Sequence, residues 1–121
     1  MTGGPDRAEI VRSYYRLVDG GVVTELVALF DEDCVYHRPG YAAIRGRSAL
    51  EDFYRNVRVI VDGRHALGLV LVDGDEVAVN GEFSGTLRDG STTAVGFADF
   101  FTFGGDDRIR ERRTYFQVPA V

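Results

Sequence analysis

The sequence predicts an α+β fold: helices first, then a meander of long strands in a curved antiparallel sheet covered on one face by those helices. Three observations carry this. Apolar residues recur at helical spacing as far as Val57. From about Arg64 onward the chain turns to long runs rich in β-branched and aromatic residues. Asp73-Gly74 and Asp89-Gly90 separate these runs, as hairpin turns do. With 121 residues the chain is expected to be a single domain, 1–121.

Taken in order, Pro5 to Asp19 reads as the first helix. Pro5 suits an early helical position, and Asp6 and Glu9 suit the positive end of the helix dipole. Ile10, Val11, Tyr14, Leu17 and Val18 form its apolar face, and Gly20-Gly21 stops it. Val22 to Phe30 reads as a short second helix, and Cys34 to Arg38 as a short strand ended by Pro39-Gly40. A loop over Tyr41 to Arg47 leads to Ser48-Ala49-Leu50-Glu51, a capping-box pattern opening a third helix. Strands are expected over His65–Val72, Glu76–Arg88, Ser91–Phe103 and Arg108–Gln117.

Composition narrows the function. Hydrophobic residues make up 45% of the chain, enough for a packed core. The net charge of −5 argues against nucleic-acid or anionic-membrane partners, which need a basic face. No apolar run is long enough to span a membrane, and Met1 to Asp6 has no signal-peptide character. The single Cys34 fits a reducing, cytoplasmic setting. Two histidines and one cysteine, far apart, match no metal spacing, and no phosphate loop is present, so neither metal nor cofactor is expected.

The stretch Ser91–Phe103 carries one charge, Asp99, on the same side of the strand as Phe97, Phe101 and Phe103. A carboxylate in an aromatic row is costly to bury without a partner. With two-residue turns at both Asp-Gly pairs, Asn80 falls opposite Asp99, Glu82 opposite Phe97 and His65 opposite Glu82. A four-residue Gly104–Asp107 loop sets Asp99 opposite Arg112. One sheet face is then expected to carry His65, Asn80, Glu82, Asp99 and Arg112, with Tyr14 and Tyr54 facing it from the helices.

Each residue has a functional and a structural reading. Asp99 is an acid, base or oxyanion donor, or else an internal ion pair with Arg112. Arg38 is an anchor for a carboxylate or enolate, or else a strand-end arginine reaching solvent or pairing with Asp31 or Asp33. Glu82 with His65 is a base dyad, or a solvated cross-strand pair. Tyr14 is a catalytic phenol or a core tyrosine, and Tyr54 its support.

The element order, with Tyr14–Gly20, Gly46–Arg55, Ala98–Phe103, Arg108-Ile109 and Tyr115-Phe116, resembles the nuclear transport factor 2-like superfamily. Within it the chain is similar to SnoaL-type polyketide cyclases and steroid Δ-isomerases. The resemblance implies a cone-shaped, cystatin-like roll around one pocket, and a homodimer formed through the outer sheet face. In the isomerases a helix tyrosine and a protonated strand aspartic acid bind the developing enolate; Tyr14 and Asp99 match these positions, and Tyr54 a supporting tyrosine. The general-base position is Arg38, which cannot act as a base. Pocket positions that are apolar in the steroid enzymes are Asn80, Glu82 and Arg112, so a steroid isomerase is not expected.

The function expected from this combination is a cofactor-independent isomerase, cyclase or lyase (dehydratase). It would act on an anionic or carbonyl-containing small molecule through Tyr14, Asp99 and Glu82, with Arg38, Tyr54, Asn80, Arg112 and His65 binding. The alternative is a non-catalytic small-molecule-binding or dimerisation domain of the same fold.

Overall fold

The computed structural model describes residues 6–119. Pro5, read as the start of the first helix, lies outside the described residues. Helix α1 spans Arg7–Gly20, and the Asp6 carboxylate caps it by accepting from the Ala8 N–H at 3.0 Å. Its buried stripe is Val11, Tyr14, Tyr15 and Val18, the i, i+3, i+4, i+7 pattern of one helix face. Gly21 closes it with φ of 70°, its N–H bonding Val18 while the Val22 N–H bonds Leu17.

Helix α2 is only Val23–Val27, shorter than the Val22–Phe30 expected. The reason is tertiary: the Leu29 carbonyl accepts from the Ile109 N–H, and Phe30 opens strand β1, Phe30–His37. The expected Tyr41–Arg47 loop contains a two-residue strand β2, Ile44–Arg45, paired to β1. Helix α3, Arg47–Asp52, starts from Gly46 at φ 89°, so Ser48 is inside the helix and makes no cap. The Gly46 N–H is held by the Cys34 carbonyl at 2.7 Å, which sets the start two residues earlier than the capping-box pattern indicates. A π-helical turn, Phe53–Val57, continues α3.

The remaining strands are β3 (Ile60–Asp73), β4 (Glu76–Leu87), β5 (Thr92–Phe103) and β6 (Ile109–Phe116). They form the expected antiparallel meander within a six-stranded sheet of order β2-β1-β6-β5-β4-β3. The sheet is mixed rather than wholly antiparallel, because β1 runs parallel to β6. Arg7 pins α1 across the sheet ends, reaching Asp75 in one turn at 2.7 Å and Asp107 in another at 3.0 Å.

Register decides which residues share the concave face. The β4–β5 connection is a three-residue loop, Arg88-Asp89-Gly90, with Gly90 at φ 87°. That is the type I turn with a left-handed glycine, not the two-residue turn expected. The pairing moves by one residue: Val79 lies opposite Asp99, and Asn80 opposite Ala98. A one-residue slip sends side chains to the other face. Asn80 and Glu82 therefore project from the outer face and are exposed. The β3–β4 turn is Gly74-Asp75, and a bulge between Leu67 and Val70 leaves His65 opposite Phe83, not Glu82. Between β5 and β6 the slip is two residues, which keeps the face: Asp99 lies opposite Thr114, with Arg112 one pleat along.

Candidate active site

A cavity of about 340 Å³ lies between the concave sheet, α1, β1 and the π-helical turn. Its polar lining includes Tyr14, Tyr36, Tyr54, His65, Arg112 and Thr114, with Arg38 and Arg58 also on the wall. Phe53, Phe83 and Phe97 supply flat apolar faces, and the exposed Tyr41, Val57, Val59 and Phe116 mark the mouth.

Asp99 does not line this cavity; it lies behind the wall, fully buried. It accepts three hydrogen bonds: from Arg112 Nη2 at 2.8 Å, from the Tyr15 hydroxyl and from Thr114 Oγ1. Three donors on one side chain place it as acceptor, the part a carboxylate plays. Burial opposes the charge of Arg112, but the Asp99 carboxylate and the surrounding phenol oxygens outweigh it and raise its pKa. Asp99 thus fixes the Arg112 guanidinium, whose carbon lies 4.4 Å from the Tyr36 ring centroid.

Arg112 Nη1 donates to the Tyr14 hydroxyl and lies 3.4 Å from that of Tyr54, and the two hydroxyls bond each other. Arginine only donates. One phenol gives its proton to the other, so one O–H is left with no acceptor among these partners. That O–H belongs to a lining residue and is available to a ligand oxygen. Burial raises the Tyr14 pKa well above the usual range, with Arg112 opposing, so the phenol keeps its proton.

His65 is on the same cavity. Its backbone N–H donates to Asp19 Oδ2 at 2.8 Å, and its Nδ1 lies 2.6 Å from Asp19 Oδ1. The two contacts clamp the residue against the end of α1. A carboxylate on Nδ1 fixes the Nδ1–H tautomer and leaves Nε2 as an acceptor. The ring packs on Tyr15 at 5.0 Å, Phe83 at 4.7 Å and Phe97 at 5.4 Å between centroids. Burial lowers the His65 pKa, Asp19 opposes this, and Arg112 and Arg58 add to the lowering. The imidazole is therefore neutral near neutral pH, the state a base needs.

The chain matches the SnoaL-like domain family over residues 11–112. It belongs to that family. No curated protein matches it by sequence. Among solved structures it is similar to SalBIII, an epoxide hydrolase/cyclase-like enzyme with a role in pyran ring formation in the polyether salinomycin. That likeness has 25% identity, covers 93% of this chain and 91% of the other, and has a TM-score of 0.81. An epoxide hydrolase from M. tuberculosis, of the LEH-like kind, aligns at 19% identity over 92% of this chain and 82% of the other, with a TM-score of 0.81. A protein of ketosteroid isomerase-like fold from Catenulispora acidiphila, solved with trimethylamine, aligns at 21% identity over 91% and 86%, with a TM-score of 0.80. The last two likenesses show the fold alone.

In this SnoaL-like domain Tyr14, Tyr54, Arg112 and His65 meet at one cavity, with Asp99 beneath Arg112. Asn80 and Glu82 do not join them, for the register reason given above; Asn80 Oδ1 instead accepts from the Leu69 N–H at 2.7 Å at the β3 bulge. Arg38 lines the cavity and makes no ion pair with Asp31 or Asp33. Tyr15, Asp19, Tyr36 and Thr114 are the site residues that sequence reasoning missed. Tyr15 and Asp19 share a helix face four residues apart, and Thr114 shares the inward side of β6 with Arg112. Among the described residues no helix is long and apolar enough to cross a membrane.

Proposed function

We propose that this SnoaL-like domain is a cofactor-independent acid–base enzyme acting on a small carbonyl compound, as an isomerase, cyclase or dehydratase. One observation carries this: a clamped, buried His65–Asp19 pair shares a cavity with the Tyr14–Tyr54–Arg112 group. His65 Nε2 takes a proton from the carbon next to the carbonyl. Asp19 balances the imidazolium that forms. Negative charge growing on the carbonyl oxygen is met by the spare phenol O–H, itself polarised by Arg112. Returning the proton to another carbon isomerises the substrate; loss of a β-hydroxyl dehydrates it; attack on an internal carbon closes a ring. The likeness to SalBIII supports a place among cyclase-like enzymes.

Asp99 is assigned to holding Arg112, not to contact with substrate, and Glu82 is replaced by His65 as the proton acceptor. The test is deuterium exchange from solvent into the C1 position of 2-tetralone, a small bicyclic ketone, followed by NMR. The wild type should accelerate exchange over buffer, and His65→Gln should lose that acceleration by about 10²–10⁴-fold. Binding of the ketone with no exchange would return the domain to the non-catalytic reading.

The outer sheet face exposes Phe100 and Tyr115, whose rings pack edge to face. We read it as the contact with a second copy of the chain, with cavities on the far sides. Sedimentation should show a dimer that Phe100→Glu converts to a monomer; a wild-type monomer contradicts this.

A further inference from the structure

We infer that the ligand of this cavity is an anion, a small flat carbonyl compound bearing a carboxylate, and that Arg38 is the group that binds the carboxylate. This deepens the carbonyl reading above, but it rests on different residues. The wall carries three guanidinium side chains, from Arg38, Arg58 and Arg112, and no aspartate or glutamate. The charge of Arg112 is matched by Asp99 at 2.8 Å. Among the described residues Arg38 and Arg58 have no ion-pair partner, so the cavity has a surplus of positive charge.

Arg38 is held in an unusual way. Its guanidinium carbon lies 4.3 Å from the ring centroid of Tyr41 and 4.3 Å from that of Phe53. The two rings fix the arginine through its faces and leave its N–H edges to do the hydrogen bonding. Nε is buried and has no hydrogen-bond partner. That nitrogen is closed off from the cavity as from water, so it is the rest of the guanidinium that would meet a carboxylate, through charge-assisted hydrogen bonds. A neutral ligand would leave the charge surplus in place, and a cation would be repelled.

The rest of the wall sets the body of the ligand. Phe53, Phe83, Phe97 and Tyr36 present aromatic faces around a volume of about 340 Å³. This is at the small end of ligand cavities and suits one or two rings. Tyr41 is exposed and Phe53 buried, so Arg38 stands just inside the mouth. The carboxylate would therefore enter last, with the carbonyl deeper, toward Tyr14 and His65.

The test is titration calorimetry of the full chain with 2-naphthoate and 2-naphthamide, which match in shape and differ in charge. The wild type should bind the naphthoate at least tenfold more tightly. Arg38→Gln should remove that preference and change naphthamide affinity less than threefold, and Arg38→Lys, which keeps the charge without the fork, should retain part of it. Circular dichroism checks that each variant folds. If Arg38→Gln does not fold, Arg38→Lys decides: a preference undiminished from the wild type overturns the assignment. So does equal binding of the two compounds by the wild type, no binding of either, or a preference that survives Arg38→Gln. A naphthoate preference with no 2-tetralone exchange would sink the catalytic reading and leave this one standing. Exchange with no preference would do the reverse.

Discussion

Asp99 and Arg112 meet across β5 and β6 at 2.8 Å, in a wall where both are buried. Breaking such a pair from one side leaves a charge with no partner. Arg112→Met alone should therefore destabilise the fold by about 3–5 kcal/mol. Adding Asp99→Leu should cost less than the sum of the two single changes, with a coupling of about 1–3 kcal/mol in chemical denaturation. It will not restore full stability, because the Tyr15 hydroxyl and Thr114 Oγ1 lose their acceptor.

The shared proton of Tyr14 and Tyr54 gives a non-additive prediction. Either phenol alone can still present an O–H to the ligand. Tyr14→Phe and Tyr54→Phe should each slow 2-tetralone exchange by less than about tenfold, whereas the double variant should lose about 10²–10³-fold, the usual worth of an oxyanion donor. Single losses that multiply to the double loss would mean two independent donors.

Stability should depend on pH through His65. Burial chiefly, against Asp19, holds its pKa below the ordinary 6.5. As pH falls below about 6.5 the unfolded chain takes the proton first, so the folded state loses stability there. Above that pH the ring is neutral in both states and contributes no slope. Urea denaturation between about pH 7.5 and pH 5 should therefore show a steeper acid loss for the wild type than for His65→Gln. His37 is present in both proteins and cancels. Equal slopes would mean that His65 is not held neutral.

The outer face gives a control. Glu82→Gln should leave exchange unchanged. Asn80→Ala should leave exchange unchanged too, while lowering stability by about 1 kcal/mol, since the Leu69 N–H loses its acceptor. A large loss of exchange in either variant would contradict the observed β4 register.

The surroundings of Asp99 were legible in the sequence because period-2 alternation on a long strand fixes its companions, and a buried carboxylate demands a cation. Arg112 survived a two-residue error in register because such an error keeps the face. Asn80 and Glu82 did not survive a one-residue error. The Asp89-Gly90 pair marks a turn, but whether two or three residues form it depends on Gly90 taking the left-handed position after Arg88 and Asp89. Tyr15 was within reach, since Val11, Tyr14, Tyr15 and Val18 complete one helix stripe. Asp19 was not: its partner is 46 residues away, and only the seating of α1 on β3 brings them together. The parallel entry of β1 beside β6 is likewise a matter of tertiary pairing with no local signal.

The most direct measurement is nitrogen NMR of the His65 ring at pH 7, assigned by comparison with His65→Gln, in the wild type and in Asp19→Asn. The expected result is a neutral ring with the proton on Nδ1 and Nε2 bare, and a mixed or reversed tautomer once Asp19 is changed. A charged imidazolium, or a proton on Nε2 in the wild type, would contradict the assignment of His65 as the base.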